Sequence, residues 1–244
     1  MQFSLEFLAL QARFAERVAA LSDLPLDQAL FFYTSLPLRF GVPFQDLTQT
    51  HPAWQAFLAD LQETGELSQA VAAAHERAQR SLLGLFPTRP QFGCFSCEYL
   101  PAERAIRLHF ANRDASEPGV LSEARVPARL AELAAMFKHV RSQYPEAHTV
   151  IGTSWLYNRE AYRRLFPPEF TASLSPVPND YHGFSLWGQF LDRRGAVRAD
   201  RRDAFLAGIK KARNLRKLAG CFPLPVLRAR ADVEAFFRFY RASL

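Results

Sequence analysis

The sequence predicts an α+β protein in which a helical N-terminal region, residues 1–90, packs on a mixed-sheet α/β domain, residues 91–244. Three observations lead to this class. Apolar residues recur at helical spacing through the first third of the chain, and strand-like runs replace that pattern near residue 90. Apolar residues also make up 49% of the 244 residues, which is enough to bury a sizeable core.

Amphipathic spacing is clearest in the first predicted helix. Its apolar residues, from Phe3 to Leu21, recur at steps of three and four and therefore share one face. Pro25 and Pro52 mark the starts of two later helices, because proline suits the first helical turn. Pro87 follows the last helix and marks the boundary of the region. The predicted helices cover residues 3–21, 25–33, 52–61 and 66–82.

Runs rich in aromatic and β-branched residues predict the strands of the second region. Residues 100–103 have proline at the second position and predict a turn that joins the first two strands. In the second strand, Arg107 and His109 lie on the face opposite to its apolar residues. The predicted strands cover residues 92–99, 104–110, 149–156, 170–177 and 183–191. The predicted helices cover residues 127–144, 158–166, 203–218 and 233–240.

Positive charge is concentrated near the C-terminus. Residues 193–241 carry 14 Lys/Arg against 4 Asp/Glu, within a chain whose net charge is +6. On the predicted helix, Lys210, Arg213 and Lys217 form one stripe, and Lys211 flanks it. Such a segment indicates contact with nucleic acid, a phosphorylated cofactor or an acidic partner. The alternative is a solvated helix face.

Several classes of protein are disfavoured. Three cysteines are too few for a disulfide scaffold, and no apolar run has the length of a membrane-spanning helix. The first residues lack the basic region of a secretory signal, so we expect a cytoplasmic protein without a membrane partner. Cys94 and Cys97 form a C-x-x-C on a predicted strand, where residues three apart point to opposite faces. We therefore expect buried free thiols and no metal.

One polar cluster interrupts a proline- and serine-rich link. Asp180, Tyr181 and His182 lie together there, and loops often carry binding residues. With Trp155, which follows a predicted strand, Tyr181 and His182 are our candidates for a substrate cleft. The alternative for the cluster is an ordinary turn. The sequence names no catalytic residue.

The order of elements from residue 92 onward is strand, strand, helix, strand, helix, strand, strand. The segment Asn158-Arg159-Glu160-Ala161 begins like N-x-x-A-x-x-L-Y-x-x-x-G-F, and Phe170 stands at its closing phenylalanine. In these features the chain resembles the GNAT acyltransferases. Residues 154–157 are also similar to the GNAT-like C-terminal domain of bacterial acyltransferase-type proteins. Residues 24–41 resemble a family of bacterial proteins of unassigned activity.

The resemblance implies a GNAT-like mixed sheet, acyl-group transfer as the activity and acyl-CoA as the cofactor. In that family the fourth strand leads into a long helix, the fifth strand splays away from it, and acyl-CoA lies in the gap. The resemblance also implies cofactor-binding roles for Asn158, Arg113 and Ser116.

Two family features are altered in this chain. Leu165 stands where the family has a tyrosine that often protonates the leaving thiolate. The phosphate cradle before the long helix corresponds to residues 113–118, where Glu117 would repel phosphate and Pro118 supplies no amide hydrogen. The CoA-binding motif is thus degenerate, and we expect acetyl-CoA to bind weakly.

Three functions remain open at this point. The first is a GNAT-like acyl-group transferase acting on a small-molecule or acyl substrate. The second is a non-catalytic binding module whose basic C-terminal helix makes weak, sequence-independent contact with a polyanion. The third is a structural or pairing protein whose helical region forms a homodimer, the simplest homo-oligomer.

Overall fold

The computed structural model describes residues 3–43, 46–81, 89–114, 117–178 and 181–241. It has helices and a six-stranded mixed sheet, which confirms the predicted mixture of the two. The helices are α1 (Leu5–Leu21), α2 (Leu26–Phe32), α3 (Leu36–Arg39), α4 (Pro52–Thr64), α5 (Leu67–Ser81), α6 (Val126–Gln143), α7 (Glu160–Arg163), α8 (Pro168–Ala172), α9 (Phe184–Trp187), α10 (Ala199–Lys211), α11 (Leu215–Ala219) and α12 (Val233–Arg241). The strands are β1 (Gln91–Phe92), β2 (Phe95–Leu100), β3 (Ala105–Phe110), β4 (Thr149–Ser154), β5 (Ser175–Pro176) and β6 (Leu227–Asp232).

Internal contacts divide the chain into two compact units. The first unit comprises Met1–Phe86 and Asn179–Pro223, and the second comprises Pro87–Pro178 and Leu224–Leu244. The residue pattern predicts one domain over residues 91–244, whereas the structure groups Asn179–Pro223 with the N-terminal helices. None of the helices in the described residues has the length and apolar character needed to cross a bilayer.

The first unit is helical, and α1 supplies one wall of its core. Ser4 caps α1 by accepting a hydrogen bond from the Phe7 amide. The Phe14 ring lies 5.6 Å from that of Trp187 and 5.8 Å from that of Phe205, between ring centroids. These contacts explain why the segment 179–223 belongs to the first unit. The buried residues of the predicted α1 stripe are Phe7, Leu10, Phe14 and Val18.

The second unit contains the whole sheet, in the order β1-β2-β3-β4-β6-β5. Strands β3 and β4 are parallel, and α6 connects them, as parallel neighbours require a crossover. Every other neighbouring pair is antiparallel. The last long strand, β6, lies inside the sheet between β4 and the short edge strand β5.

One face of this sheet is apolar and packs against helices. The strands contribute alternate residues, and α6 and α12 cover them with stacked rings such as Phe137 and Phe236, 4.7 Å apart between centroids. The helix predicted at residues 127–144 is therefore present and lies on the sheet. The strand residues of this cluster are Phe95, Cys97, Ile106, Leu108, Val150 and Ala229.

Two predicted strands are wrong. Residues 170–177 form the end of α8 and only two strand residues, because Pro167 and Pro168 start a helix that buries Phe170. Residues 183–191 form α9 and a 3-10 turn rather than a strand. Their apolar residues at 186, 187 and 190 have helical spacing, and all three are buried.

Strand β6 is not among the predicted strands. After Leu227 its residues alternate between alanine and charged residues, so it lacks the β-branched and aromatic residues that are enriched in strands. The long basic helix predicted at residues 203–218 is also wrong: it is two helices, α10 and α11, joined by residues 212–214. The helix predicted at 158–166 is the short helix α7, preceded by a 3-10 turn over Trp155–Asn158.

Candidate functional site

The parallel strands β3 and β4 separate part-way along their length. Their register pairs are Ala105 with Thr149, Ile106 with Val150 and Arg107 with Ile151, and the pairing covers no later residue of either strand. Beyond these pairs, each strand is paired only on its outer side, β3 with β2 and β4 with β6. The inner edges of residues 108–110 and 152–154 therefore present backbone groups to a gap, which we call the strand gap.

Polar side chains line one face of the sheet beside the strand gap. Register partners share a face, so Ser96 lies beside His109, and Thr153 lies beside Arg228. Continuing the register of the paired half would set His109 opposite Thr153 across the gap. This polar face is the reverse of the face that packs on α6 and α12.

Glu98 is the centre of an ion cluster on this polar face. One carboxylate oxygen, Oε2, lies 3.2 Å from Arg89, 3.5 Å from Arg107 and 3.1 Å from Nε2 of His109. The His109 and Glu98 side chains are each about 30% exposed, so the pair is accessible. Glu98 thus holds His109 in a fixed orientation at the start of the separated half of β3.

The hydrogen bond with Glu98 defines the tautomer of His109. An ionised carboxylate only accepts hydrogen bonds, so Nε2 donates and Nδ1 keeps the lone pair. Burial, and next the charge of Arg89, lower the pKa of His109 below its ordinary value, although Glu98 acts in the opposite direction. His109 is therefore neutral at pH 7 and can accept a proton at Nδ1.

A tyrosine hydroxyl lies against β4 on the apolar face of the strand gap. Tyr157 Oη packs so closely on Gly152 that a Cβ at this position would clash with it. Tyr157 and Tyr162 are buried with their ring centroids 5.1 Å apart, and burial raises the pKa of both hydroxyls. Both hydroxyls therefore stay protonated at neutral pH.

The start of α6 carries two cations that one carboxylate already pairs. Asp114 Oδ2 lies 3.7 Å from Arg125 and 3.4 Å from the nearly buried Arg129. Arg129 also pairs with Glu132 at 2.9 Å. The predicted cofactor residue Arg113 is exposed beside Asp114, and Ser116 lies outside the described residues. An anionic ligand here would compete with the Asp114 carboxylate.

The other predicted site residues are distributed over both units. Asn158 and Trp155 belong to the second unit, where the Asn158 amide donates to the backbone carbonyls of Trp155 and Pro225, both at 2.8 Å. Asn158 therefore ties the turn after β4 to the segment before β6. Tyr181 and His182 belong to the first unit, and the Tyr181 ring packs 5.7 Å from that of Phe14.

The predicted basic stripe is not a single helical stripe. Lys210 and Lys211 end α10, Arg213 lies in the link, and Lys217 lies on α11. All four side chains are exposed, and so is Arg216. No ion pair of these five residues, which we call the basic cluster, is present in the part of the chain that the structure describes.

The cysteines are free thiols. Cys94 and Cys97 are buried, and Cys221 is partly exposed. Cys94 precedes β2 in a turn and does not lie on a strand as predicted. Its amide donates to Glu132, which also pairs with Arg129. The described residues contain no group of three side chains that could hold a metal.

The pairing of Glu98 with His109 is not among the features predicted from the sequence. The signal was present in the predicted hairpin, because its polar face carries Arg107 and His109 on one strand and a carboxylate on the other. It was missed because the two residues are diagonal neighbours whose contact depends on the exact register. No residue pattern in these two strands predicts that β3 and β4 separate.

Comparison with known proteins finds no match for this chain. No family model matches the chain, and neither a curated protein nor a solved structure matches it.

Proposed function

We propose that the second unit transfers an acyl group from a thioester to an amine, with the thioester held in the strand gap. The observation that carries this proposal is the separation of parallel strands β3 and β4 beside the Glu98–His109 pair. Within the second unit the elements run β1, β2, β3, α6, β4, α7, α8, β5, β6 and α12, and the part from β2 to α7 has the order that the GNAT resemblance implies, which supports the proposal. After α7 the unit has a further short helix, α8, and its long strand β6 follows residues 179–223 instead of lying at the predicted 183–191.

The backbone of the strand gap suits an extended thioester carrier. A pantetheine arm contains two amide groups, and residues 108–110 and 152–154 offer backbone donors and acceptors along both walls. An arm lying there would add hydrogen bonds much as an extended peptide adds a strand to a sheet edge.

The chemistry needs a proton acceptor for the amine. The amine nitrogen attacks the thioester carbonyl carbon, a C–N bond forms, and the amine proton passes to Nδ1 of His109. The C–S bond then breaks, and its electron pair leaves on the sulfur. His109 returns its proton to solvent, and the thiolate gains one from solvent, so that the products are an amide and a thiol.

Tyr157 is suited to stabilise the departing sulfur by hydrogen bonding. The pKa of its hydroxyl is raised well above the ordinary value by burial, whereas an ordinary thiol has a pKa of about 8.5. Full proton transfer from Tyr157 to the thiolate is therefore uphill. Leu165, at the position where the family has its tyrosine, is buried and has no hydroxyl.

The nucleotide end of CoA fits less well than the pantetheine arm. Asp114 already pairs the two cations at the start of α6, so a pyrophosphate would meet a carboxylate there. We expect acetyl-CoA to bind weakly and no more than about tenfold more tightly than acetyl-pantetheine, which lacks the nucleotide. Calorimetric titration with both compounds measures this ratio, and low-micromolar affinity for acetyl-CoA would mean that its phosphates are bound elsewhere.

The decisive test is thiol release from acetyl-pantetheine in the presence of a panel of primary amines. We expect amine-dependent release by the full-length protein and a loss of about 10²–10⁴-fold in the variant His109→Gln, the range for removing a general base. The variant His148→Gln is the matched control, because His148 is an exposed histidine of the same unit. No release with any amine, or equal release by both variants, would reject the proposal.

Polyanion binding by the basic cluster is the second candidate function. Its support is that these five cations are exposed and have no ion pair in the described residues, whereas exposed Arg13, Arg77 and Arg80 of the same unit are each paired with an acid. Because no aromatic platform accompanies the cluster, the binding we propose is weak and independent of nucleotide sequence.

A further inference from the structure

Strand β6 carries two arginines on the polar face next to the strand gap. Arg228 is the register partner of Thr153, and Arg230 is the register partner of Ile151. Both side chains are exposed. Two positive side chains on the same face of one strand repel each other unless a nearby negative group balances their charge.

Neither arginine forms an ion pair with an acidic side chain among the described residues. In the described part of the second unit, no carboxylate lies within ion-pair distance of Arg228 or Arg230. The Arg230 guanidinium donates to the Thr149 hydroxyl at 3.4 Å, and its backbone amide donates to the Ser173 hydroxyl at 2.8 Å. The nearest acid on the strand, Asp232, accepts a hydrogen bond from the Glu234 amide at the start of α12.

Three other arginines of the second unit have an acidic partner. Arg89 and Arg107 share Glu98, and Arg238 pairs with Glu169. On β6, by contrast, Arg228 and Arg230 have no described carboxylate as a partner, and they lie on the β4 side of the strand gap. A ligand group that completes the charge balance there is an anion.

The register also sets the spacing between this charge and the proposed base. Neighbouring strands lie about 4.8 Å apart, and β3 and β4 are further apart than this at His109, so the Cα atoms of His109 and Arg228 are separated by more than roughly 10 Å. Because an arginine side chain reaches several ångströms towards the gap, a small molecule can contact both residues at once.

We infer that the acyl acceptor is a small primary amine that also carries an anionic group, and that Arg228 binds this group while the amine faces His109. The inference rests on the proposed function. A guanidinium binds a carboxylate or a phosphate through paired hydrogen bonds, so both anions share the chemistry that Arg228 offers.

The first arm of the test uses matched amines and acetyl-pantetheine with the full-length protein. The pairs are 4-aminobutyrate against 4-aminobutanamide, and phosphoethanolamine against ethanolamine. We expect the anionic member of at least one pair to have a KM at least tenfold lower, and Arg228→Gln to remove this difference with kcat little changed. Arg163→Gln, which removes an exposed arginine on α7, should preserve the difference.

The second arm measures binding without a thioester, by ligand-observed NMR of the same four amines. Selective binding of an anionic amine that is lost in Arg228→Gln, together with no acyl transfer, would reject the proposed function but keep the anion site. Equal KM values within both pairs, no binding of either anionic amine, or unchanged selectivity in Arg228→Gln would each overturn the inference. Comparison of the two pairs distinguishes a carboxylate from a phosphate.

Discussion

His109 illustrates how a single residue acquires a function from its register. On β3 it is one of two polar residues in an apolar strand, and only the pairing of β2 with β3 brings Glu98 to within 3.1 Å of its Nε2. The carboxylate orients the ring, and burial keeps the ring neutral. Orientation and protonation state thus come from two different features of the same strand pair.

A pH profile follows from the protonation of His109. Because the pKa of His109 is lowered below its ordinary value and the neutral ring is the active form, kcat/KM should be at its plateau at pH 7 and fall as the pH drops below that lowered pKa. The profile is measured with acetyl-pantetheine and a fixed amine, corrected for ionisation of the amine. A limb centred well above pH 7 that remains in His109→Gln would contradict this role.

The three cysteines should differ in reactivity. Burial raises the pKa of Cys97 to about 11, and Cys94 is equally buried, whereas Cys221 is partly exposed. Ellman titration of the native protein should therefore show one thiol reacting at least about tenfold faster than the other two, and three thiols after unfolding. Cys221→Ser should abolish the fast phase. Fewer than three thiols in the unfolded, unreduced protein would reveal a disulfide that the structure lacks.

At the scale of elements, the start of α6 decides how the proposed thioester carrier is recognised. Asp114 competes there with any phosphate for Arg125 and Arg129. Asp114→Asn should therefore raise the affinity for acetyl-CoA about fivefold, because one partly exposed charge interaction is worth about that factor. The affinity for acetyl-pantetheine should not change.

Calorimetry with the two ligands measures this effect, and Glu160→Gln on α7 is the control for removing an acid elsewhere in the unit. An equal gain for both ligands, or no gain for acetyl-CoA, would mean that the start of α6 is not near the phosphates.

The elements also show which parts of the fold the sequence determines locally. Helix α1, the hairpin of β2 and β3, and helix α6 were predictable, because local residues mark where each begins or turns. Ser4 caps α1, Pro101 starts the turn of the hairpin, and Pro127 lies in the first turn of α6. Strand β6 was not predictable from its own residues, because alanine and arginine favour helices. Its strand conformation depends on pairing with β4 along its whole length.

The candidate site was less predictable than the fold. Asn158, singled out from the resemblance, holds a turn through two backbone carbonyls. Tyr181 and His182 belong to the first unit. No local residue pattern predicts that residues 179–223 belong to the first unit, although the chain on both sides of them belongs to the second. Glu98 and His109 required the register, which only the complete sheet defines.

At the scale of the whole molecule, both units carry a cluster of positive side chains. The arginines of β6 lie beside the strand gap in the second unit, whereas the basic cluster lies on the first. Any polyanion binding should therefore be separable from acyl transfer.

Salt dependence tests the basic cluster. Three or four phosphate contacts would give a slope of about −3 for log affinity against log salt, and replacing Lys210, Arg213 and Lys217 by glutamine should flatten it. Fluorescence anisotropy with duplexes of two unrelated sequences measures both the slope and the lack of preference.

The control is the triple replacement of Arg13, Arg77 and Arg80 by glutamine, which removes the same charge from ion-paired positions in the first unit. A preferred sequence at physiological salt, or an equal loss in the control, would contradict weak non-specific binding by the basic cluster.

The central claim is that a thioester occupies the strand gap, and amide hydrogen exchange with and without saturating acetyl-pantetheine tests it most directly. We predict slower exchange in peptides covering residues 108–110 and 152–154, with little change in the paired half of the same strands or in the first unit. Binding that leaves both segments unchanged, or no binding at millimolar acetyl-pantetheine, would contradict the claim.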